Sequence, residues 1–396
     1  MINLPDTDYE TVHEFSGKIA GQSIAFISKP GLPDWKHISP SASLLAEAIL
    51  PRWDNKILNI GCGHGALAAV LGKRVAEHHL VVMDSDQIAL NCTQKTLQVN
   101  GIRSFELPSA ITLLPHSAHT FSIVALDIPK GRKLTRHWLV ESYHLLEPEG
   151  SLYLAGANDQ GIQPAIKDAQ ELFGNAVIID YKKGNRCALV KKESERSDFP
   201  EWAHTPGIAP GTWVSFEVSL REIRFTIQSM PGIFSYDRLD EGSSLLLETI
   251  MIPDHSNILD VGCGYGIIGL YAASHAPSSM VDMLDSNRLA VAATAENLTV
   301  NQIKNAKVYS SDLLECIQDK HYHQIISNPP FHTGKEVNYA VAASLLRQSF
   351  QALLPGGQLV LVANRFIRYD HLMKDIFGNA HLLAQTRRFH ILSAMK

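Results

Sequence analysis

The sequence predicts an α/β protein made of two tandem domains that arose by internal duplication, each with a doubly wound, mostly parallel sheet. The first observation is a self-match, because residues 56–65 and 257–266 carry three glycines at the same spacing in the same apolar frame. The second is that short apolar runs alternate with helical stretches in both halves, which is typical of βαβ units. The third is length, since 396 residues exceed what one hydrophobic core usually serves.

The duplication keeps one register along most of the chain. The pairs that match at a separation of 201 residues include Asn59 with Asp260, Asp84 with Asp285, Asn100 with Asn301, and Asp127 with Asn328. We therefore predict an N-terminal domain at residues 1–191, a linker with three prolines at residues 192–211, and a C-terminal domain at residues 212–396.

The elements of the second half follow from its apolar pattern. Alternating polar and apolar residues at 213–218 and 223–227 predict a hairpin that opens this domain. Strands are predicted at residues 257–261, 280–284, 307–310, 324–327 and 358–363, with helices at residues 267–274 and 288–301. Together these elements indicate successive βαβ units.

Composition limits the class of protein. Apolar residues make up 45% and charged residues 19%, which is ordinary for a globular chain. No apolar run reaches the roughly 18 residues of a membrane span, and no signal peptide is evident. The five cysteines lack metal-ligand spacing, so we expect a reduced cytoplasmic protein without a metal site. A net charge of −5 argues weakly against a nucleic-acid partner, although residues 181–198 hold six basic residues against three acidic ones.

The glycine-rich stretch Asp260-Val261-Gly262-Cys263-Gly264 follows a predicted strand and opens a helix. Glycines let the backbone pass close to a ligand, and a helix N-terminus offers unpaired N–H groups. The spacing differs from the dinucleotide fingerprint, which favours a ligand with an amino-acid tail whose ammonium group Asp260 could meet. The alternative is a tight turn with a structural role only.

Two further acids follow the next strands. Asp285 ends the second strand of this domain, where an acid typically accepts hydrogen bonds from ribose hydroxyls, although it could equally cap the next helix. Asp312 ends the third strand and could accept from an adenine amino group, but aspartate also favours turns. Taken singly, neither residue decides between ligand binding and local structure.

The most specific motif is Asn328-Pro329-Pro330-Phe331, which ends a short apolar strand. Two prolines stop the strand, so a polar side chain is presented at the edge where open parallel sheets bind ligands. The Asn328 side-chain oxygen and the Pro329 carbonyl can accept both N–H bonds of an exocyclic amine, which localises its lone pair for attack on a methyl group. Phe331 offers a face on which a base can stack. A strand that merely ends at prolines is the alternative.

These motifs, together with Met230–Ser235 and Asp240-x-Gly242-Ser243, resemble the tandem guanine-N2 methyltransferases of bacterial ribosomal RNA. The resemblance covers the whole chain and is strongest from about residue 212 onward. It implies two class I methyltransferase domains, each Rossmann-like with a seven-stranded sheet. The first copy is expected to be inactive and the second active, with S-adenosylmethionine as cofactor. It also implies that Phe234, Ser235 and Gly242-Ser243 lie over the cofactor.

The first half departs from the motifs at the positions that carry chemistry. Asn59 replaces the acid, Ile111 stands in register with Asp312, and Asp127-Ile128-Pro129-Lys130 replaces the amine-binding motif. The glycines at 61, 63 and 65 and the acid at Asp84 remain, and we interpret them as preserving a tight turn. We expect this half to stabilise the fold and to help hold RNA.

The predicted activity is methyl transfer from S-adenosylmethionine to the N2 amine of a guanine in ribosomal RNA, by a monomer that binds ribosomal RNA or a ribosomal subunit and no membrane. The predicted catalytic residues are Asn328, Pro329 and Phe331. The predicted cofactor-binding residues are Phe234, Ser235, Asp260, Gly262, Gly264, Asp285, Ser286, Asp312 and Asn328. His332 is expected to pack or orient substrate rather than act as a base. The alternatives are methylation of adenine or of a protein glutamine amide, and a non-catalytic RNA-binding or assembly factor.

Overall fold

The computed structural model describes residues 9–114, 117–329 and 339–396, and the chain divides into two compact units. The N-terminal unit is Val12–Trp213. The C-terminal unit contains Val214–Lys396 together with residues 9–11. Two segments therefore group differently from the predicted domains, because residues 9–11 join the C-terminal unit and residues 192–213 remain with the N-terminal unit.

Side-chain contacts account for both segments. In the C-terminal unit, Glu10 Oε1 accepts a hydrogen bond from the Ser344 hydroxyl at 2.5 Å. In the N-terminal unit, the Arg136 guanidinium lies 4.6 Å from the centre of the Trp202 ring, and Trp202 lies in the 3₁₀ helix Glu201–His204. The stretch predicted as a linker is thus an ordered part of the N-terminal unit.

The N-terminal unit begins with a hairpin and continues as alternating helices and strands. Its strands are β1 (His13–Ile19), β2 (Gln22–Ser28), β3 (Ile57–Ile60), β4 (Leu80–Met83), β5 (Phe121–Asp127), β6 (Leu146–Ala157), β7 (Val177–Lys182) and β8 (Asn185–Lys191). Its helices are α1 (Pro40–Ala48), α2 (Ala66–Gly72), α3 (Gln87–Val99), α4 (Arg132–Leu145) and α5 (Ile162–Phe173).

The C-terminal unit repeats this order of elements. Its strands are β9 (Val214–Leu220), β10 (Ile223–Ser229), β11 (Asn257–Val261), β12 (Met280–Asp285), β13 (Ala306–Ser310), β14 (Tyr322–Ser327), β15 (Leu353–Asn364), β16 (His381–Gln385) and β17 (Phe389–Met395). Its helices are α6 (Glu241–Thr249), α7 (Ile267–His275), α8 (Arg288–Val300), α9 (Tyr339–Ala352) and α10 (Tyr369–Phe377). The predicted hairpin, strands and helices of this half are all confirmed, with ends that differ by a few residues.

The C-terminal unit has a seven-stranded sheet in the order β13-β12-β11-β14-β15-β17-β16. The first five strands of that order are parallel, and β17 runs antiparallel to both of its neighbours. The strand order reverses between β11 and β14, which creates a crevice at the carboxyl ends of the strands. The predicted site residues Asp260, Asp285, Asp312 and Asn328 lie at or next to these carboxyl ends.

The N-terminal unit has a six-stranded sheet, in the order β4-β3-β5-β6-β8-β7, in the part of the chain that the structure describes. The prediction of seven strands is therefore wrong for this unit. A single bridge between Val81 and Glu106 stands where β13 pairs with β12 in the other unit. Pro108 follows two residues later, and a proline cannot extend a ladder of hydrogen bonds.

The central strands are apolar because helices cover both faces of the sheet. Ile258 and Leu259 on β11 and Ile325 and Ile326 on β14 are fully buried. Burying a side chain of this size contributes about 1.5–3 kcal/mol to folding, so these strands give the crevice a rigid floor. No helix in the described ranges is long and apolar enough to span a membrane.

Candidate active site

A tight turn of glycines joins β11 to α7 at the edge of the crevice. Gly262 and Gly264 have φ values of 75° and 58°, which side chains with a Cβ rarely adopt. The Gly262 N–H donates to the Leu284 carbonyl at 2.8 Å, so the turn is fixed to the end of β12. A Cβ placed on Gly264 would meet no described atom within 4 Å, so the backbone here faces open space.

Asp285, at the end of β12, holds the glycine turn in place. Its Oδ2 accepts the Gly264 N–H at 2.8 Å, and its Oδ1 accepts the Asn287 N–H at 2.8 Å. Asn287, not Asp285, is the N-cap of α8, so the alternative role considered for Asp285 belongs to its neighbour. Burial raises the pKa of Asp285 to about 6. Ser286 lies between these residues and is half-buried.

Asp260, on β11, lies beneath the turn and is fully buried. Its Oδ2 accepts the Gly269 N–H of α7 at 2.9 Å, whereas its Oδ1 has no hydrogen-bond partner in the described chain. Burial is the main cause that raises its pKa to about 7, and the nearby Asp285 charge contributes in the same direction. The carboxyl therefore lies under the turn instead of on the open wall of the crevice.

Asp312 follows β13 and is almost fully buried. Its Oδ1 accepts a hydrogen bond from the Tyr9 hydroxyl at 2.6 Å. The Ser311 N–H donates to the Asp285 carbonyl at 3.0 Å, which brings the ends of β12 and β13 together. The three acids predicted at strand ends thus lie on three adjacent strands of one sheet.

Asn328 follows β14 on the other side of the crevice and is half-buried. Its amide Nδ2 donates to the Ser243 hydroxyl at 2.9 Å and approaches Asp240 Oδ2 at 3.5 Å. Because Nδ2 faces these two acceptors, the amide oxygen is on the opposite side and is presented as an acceptor. Pro329 is buried beside it, and Phe331 and His332 lie outside the described residues.

Asp240 and Ser243 are functional candidates whose contact with Asn328 the sequence did not reveal. Asp240 is the N-cap of α6, and its Oδ1 accepts the N–H groups of Gly242 and Ser243. The structure places the Ser243 hydroxyl against Asn328, and its position over the cofactor stays a prediction. The motif was visible, but 85 residues separate Ser243 from Asn328 and no local pattern signals that contact.

The loop between β10 and α6 is attached to the glycine turn. Asn287 Nδ2 donates to the Gly232 carbonyl at 2.8 Å, and the Tyr265 hydroxyl donates to the Arg238 carbonyl at 3.1 Å. Within this loop the Ser235 hydroxyl donates to the same Arg238 carbonyl at 2.8 Å. Phe234 is 67% exposed, which leaves its aromatic face available to a ligand.

Comparison with known proteins gives the family. The Methyltransferase small domain family model matches the chain twice, at residues 23–186 and 224–393. The ribosomal RNA small subunit methyltransferase C of Pseudomonas syringae pv. tomato is 34% identical over 277 residues, which is 70% of this chain and 80% of the relative. The chain belongs to this methyltransferase family.

A second relative and a solved structure indicate the same family. The enzyme of the same name from Cronobacter sakazakii is 33% identical over 267 residues, covering 67% of this chain and 73% of the relative. A solved structure of a T. thermophilus 16S rRNA N2-guanine methyltransferase, in complex with AdoMet and guanosine, superposes with a TM-score of 0.81. It shares 26% sequence identity and covers 98% of this chain and 99% of its own. The tandem α/β fold predicted from the sequence is thus confirmed.

In this methyltransferase the N-terminal unit keeps the turn but changes the acceptor positions. Gly63 N–H donates to Asp84 Oδ2 at 3.1 Å, which matches the contact between Gly264 and Asp285. In contrast, Asp127 Oδ2 accepts a hydrogen bond from the Ser41 hydroxyl at 2.7 Å, so its side chain is engaged within its own unit.

Proposed function

We propose that this protein transfers a methyl group from S-adenosylmethionine to the exocyclic N2 amine of a guanine in small-subunit ribosomal RNA, and that the C-terminal unit performs the chemistry. The observation that carries the proposal is the orientation of Asn328, whose amide nitrogen donates to Ser243, so that its amide oxygen points away from that hydroxyl. The names of the relatives and the ligands of the T. thermophilus structure support the same reaction.

The residues around the glycine turn fit the cofactor. Gly262 and Gly264 have no side chains to obstruct a ligand, and Asp260 has a buried oxygen without a hydrogen-bond partner among the described residues. We assign Asp285 and Ser286 to the ribose, Asp312 to the adenine amine, and Asp260 to the ammonium group, on which it acts from beneath Gly262 and Gly264. Phe234 and Ser235 cover the cofactor from the loop. When bound, S-adenosylmethionine supplies an electrophilic methyl group on a sulfonium centre.

The chain's own contribution to the reaction is orientation. The guanine N2 lone pair is delocalised into the ring, which makes the free amine a poor nucleophile. Asn328 Oδ1 and the Pro329 carbonyl accept its two N–H bonds, so the lone pair is localised and directed by two fixed acceptors. Phe331 is assigned to stack on the base. No strong base is needed, because the N–H proton becomes acidic once the nitrogen is alkylated and leaves to solvent.

The remaining assignments concern the organisation of the protein. We propose that the N-terminal unit, Val12–Trp213, is a degenerate domain that helps to hold RNA, and that the C-terminal unit is catalytic. We also propose that the protein is a cytoplasmic monomer that binds ribosomal RNA or a ribosomal subunit. Because the net charge is −5, binding of RNA requires local basic surface, and association should weaken steeply with salt. Light scattering at working concentration tests the monomer.

The test of the reaction is methyl transfer from labelled S-adenosylmethionine to unmodified small subunits, followed by nucleoside analysis. The expected product is labelled N2-methylguanosine. Labelled methyladenosine would retain the mechanism and overturn the substrate, and label in a protein glutamine would do the same. Cofactor binding without any transfer to subunits or to naked ribosomal RNA would contradict the proposed activity and favour a role in assembly.

A further inference from the structure

Residues 9–11 contribute a side chain that contacts Asp312, the residue that we assign to the adenine amine. The Tyr9 hydroxyl lies 2.6 Å from Asp312 Oδ1, and the two residues are 3% and 4% exposed. Hydrogen bonds to ionised groups are stronger than those between neutral groups, and burial strengthens them further. This bond fixes one oxygen of the carboxylate that we assign to the adenine amine.

The neighbouring residue anchors the same segment to α9. Glu10 Oε1 accepts hydrogen bonds from the Ser344 hydroxyl at 2.5 Å and from Gln348 Nε2 at 3.1 Å, both on α9. Gln348 Oε1 in turn accepts the Leu314 N–H at 3.0 Å, two residues after Asp312. Tyr9 and Glu10 therefore connect the loop that carries Asp312 to the helix that follows the Asn328 motif.

The N-terminal unit shows that the fold does not require this polar contact. There, the position equivalent to Ser344 on α9 is His137 on α4, and a ring nitrogen of His137 lies 3.3 Å from the Ile208 carbonyl oxygen. In both units a segment that is distant in sequence contacts this helix: Glu10 contacts α9, and Ile208 contacts α4. In the register of the duplication, however, Asp312 corresponds to Ile111 and Tyr9 to Pro210, neither of which has a side chain that forms hydrogen bonds. The Tyr9–Asp312 pair thus belongs to the unit that we assign to the chemistry.

We propose that Tyr9 is a positioning residue of the cofactor site, which orients Asp312 so that this carboxylate recognises the adenine amino group. This inference rests on the proposed function. A carboxylate has about four acceptor sites, so it can accept from the Tyr9 hydroxyl and from a ligand amine together. With one oxygen fixed by Tyr9, rotation of the carboxylate is restricted, and less orientational freedom is lost when the ligand binds.

The test measures recognition of the adenine amine by calorimetry. The probes are S-adenosylhomocysteine and S-inosylhomocysteine, which carries an oxo group in place of the amine. For Tyr9→Phe we expect affinity for the adenosyl compound to fall about 5- to 10-fold, which is within the range for loss of one ordinary hydrogen bond. Affinity for the inosyl compound should change less than about twofold, because that ligand does not use the oriented acceptor.

Two further variants separate orientation from general damage to the fold. Tyr322→Phe removes another buried tyrosine–aspartate bond of this unit, from the Tyr322 hydroxyl to Asp282 Oδ2 at 2.8 Å, and should leave both affinities unchanged. Asp312→Asn should abolish discrimination between the two probes. In that background Tyr9→Phe should have no further effect, as expected for two residues that act as one unit.

The outcomes are distinct. Equal weakening of both probes by Tyr9→Phe would overturn the positioning role, since loss of structure affects both ligands alike. Tighter binding of the adenosyl compound would also overturn it, because Tyr9 would then compete with the ligand for Asp312. If the unmodified protein binds neither probe, the cofactor assignment fails together with this inference, whereas normal binding with unchanged discrimination in Tyr9→Phe contradicts the role of Tyr9 alone.

Discussion

The two units hold their glycine turns in the same way but present different groups beside them. Asp84 accepts the N–H groups of Gly63 and Asp86 at 3.1 and 2.9 Å, and Asp285 accepts those of Gly264 and Asn287 at 2.8 Å each. The acid after the second parallel strand is therefore part of how this turn folds. Its retention in the N-terminal unit does not by itself indicate a working cofactor site.

The two units differ in the strand that faces the glycine turn across the crevice. A Cβ placed on Gly61 would lie 2.6 Å from the Asp127 carbonyl oxygen, whereas one on Gly262 would lie 3.9 Å from the Asn328 carbonyl oxygen. The N-terminal unit therefore has less room between the turn and the strand that faces it. The turn is therefore maintained by the fold, whereas the spacing and the identity of residue 328 distinguish the unit that we propose to be active.

Exchanging the residues at the equivalent positions 328 and 127 should have the largest effect on kcat. Asn328→Asp places a carboxylate where Nδ2 now donates to Ser243, near Asp240, so the side chain loses its fixed orientation and gains repulsion. We expect kcat to fall by about 10²–10³-fold, the range for loss of one preorganised group at a reacting centre, with little change in cofactor affinity. Single-turnover methylation of small subunits measures this loss of rate.

The reverse exchange is its matched control. Asp127→Asn in the N-terminal unit should leave kcat within about twofold, because Asp127 is bonded to Ser41 and is assigned no chemistry. Equal losses in the two variants would contradict the assignment of the reaction to the C-terminal unit.

A methyl group added to each turn should separate ligand binding from stability. Gly61 and Gly262 both have φ near 76°, so alanine costs about 1–2 kcal/mol of folding free energy at either position. Gly262→Ala puts its Cβ in the crevice and should weaken S-adenosylhomocysteine binding at least about tenfold. Gly61→Ala should destabilise more, because its Cβ approaches a backbone oxygen, yet leave ligand affinity unchanged. Thermal unfolding and calorimetry give the two readouts, and loss of ligand affinity in Gly61→Ala would indicate a site in the wrong unit.

The raised carboxyl pKa values should make cofactor binding depend on pH. Burial raises the pKa of Asp260 to about 7 and of Asp285 to about 6, and only the ionised form of Asp260 attracts the ammonium group. Affinity for S-adenosylhomocysteine should therefore increase up to about tenfold between pH 6 and pH 7.5, and Asp260→Asn should flatten the profile. A profile that keeps its slope in Asp260→Asn would assign the titration elsewhere.

The raised pKa of Asp260 has the opposite effect on the stability of the ligand-free protein, which should decrease as the pH rises. A carboxyl with a raised pKa binds its proton more tightly in the folded state than in the unfolded state. Its contribution therefore favours the folded state at low pH and is lost as the pH rises from about 4 to about 7. Asp260→Asn should remove this part of the pH dependence in denaturant titrations.

The smallest effect should come from the hydroxyl that holds Asn328. Ser243→Ala removes one acceptor of Nδ2 but leaves Asp240 nearby, so we expect kcat to fall about 3- to 10-fold with an unchanged KM for the cofactor. Ser41→Ala removes the corresponding contact to Asp127 and should leave the kinetics unchanged. A change in KM alone would show that Ser243 acts on the cofactor and not through Asn328.

The sequence predicted those features that depend on local pattern. Strand ends carrying Asp260, Asp285, Asp312 and Asn328 follow from apolar periodicity, and the sheet topology then brings them to one edge. The burial of Asp260 beneath α7 was not predictable, because it depends on which face of β11 the helix covers. The contacts of Tyr9 with Asp312 and of Ser243 with Asn328 join residues 303 and 85 positions apart, for which the sequence holds no local signal.

The most direct test of the central claim is the number of cofactor molecules that one chain binds. Calorimetric titration of the full-length protein with S-adenosylhomocysteine should give one equivalent per chain. Asp312→Ala should weaken that binding at least about tenfold, and Asp127→Asn should leave it intact. Two equivalents per chain, or one equivalent whose affinity is unchanged in Asp312→Ala, would contradict the proposal that only the C-terminal unit has retained a working site.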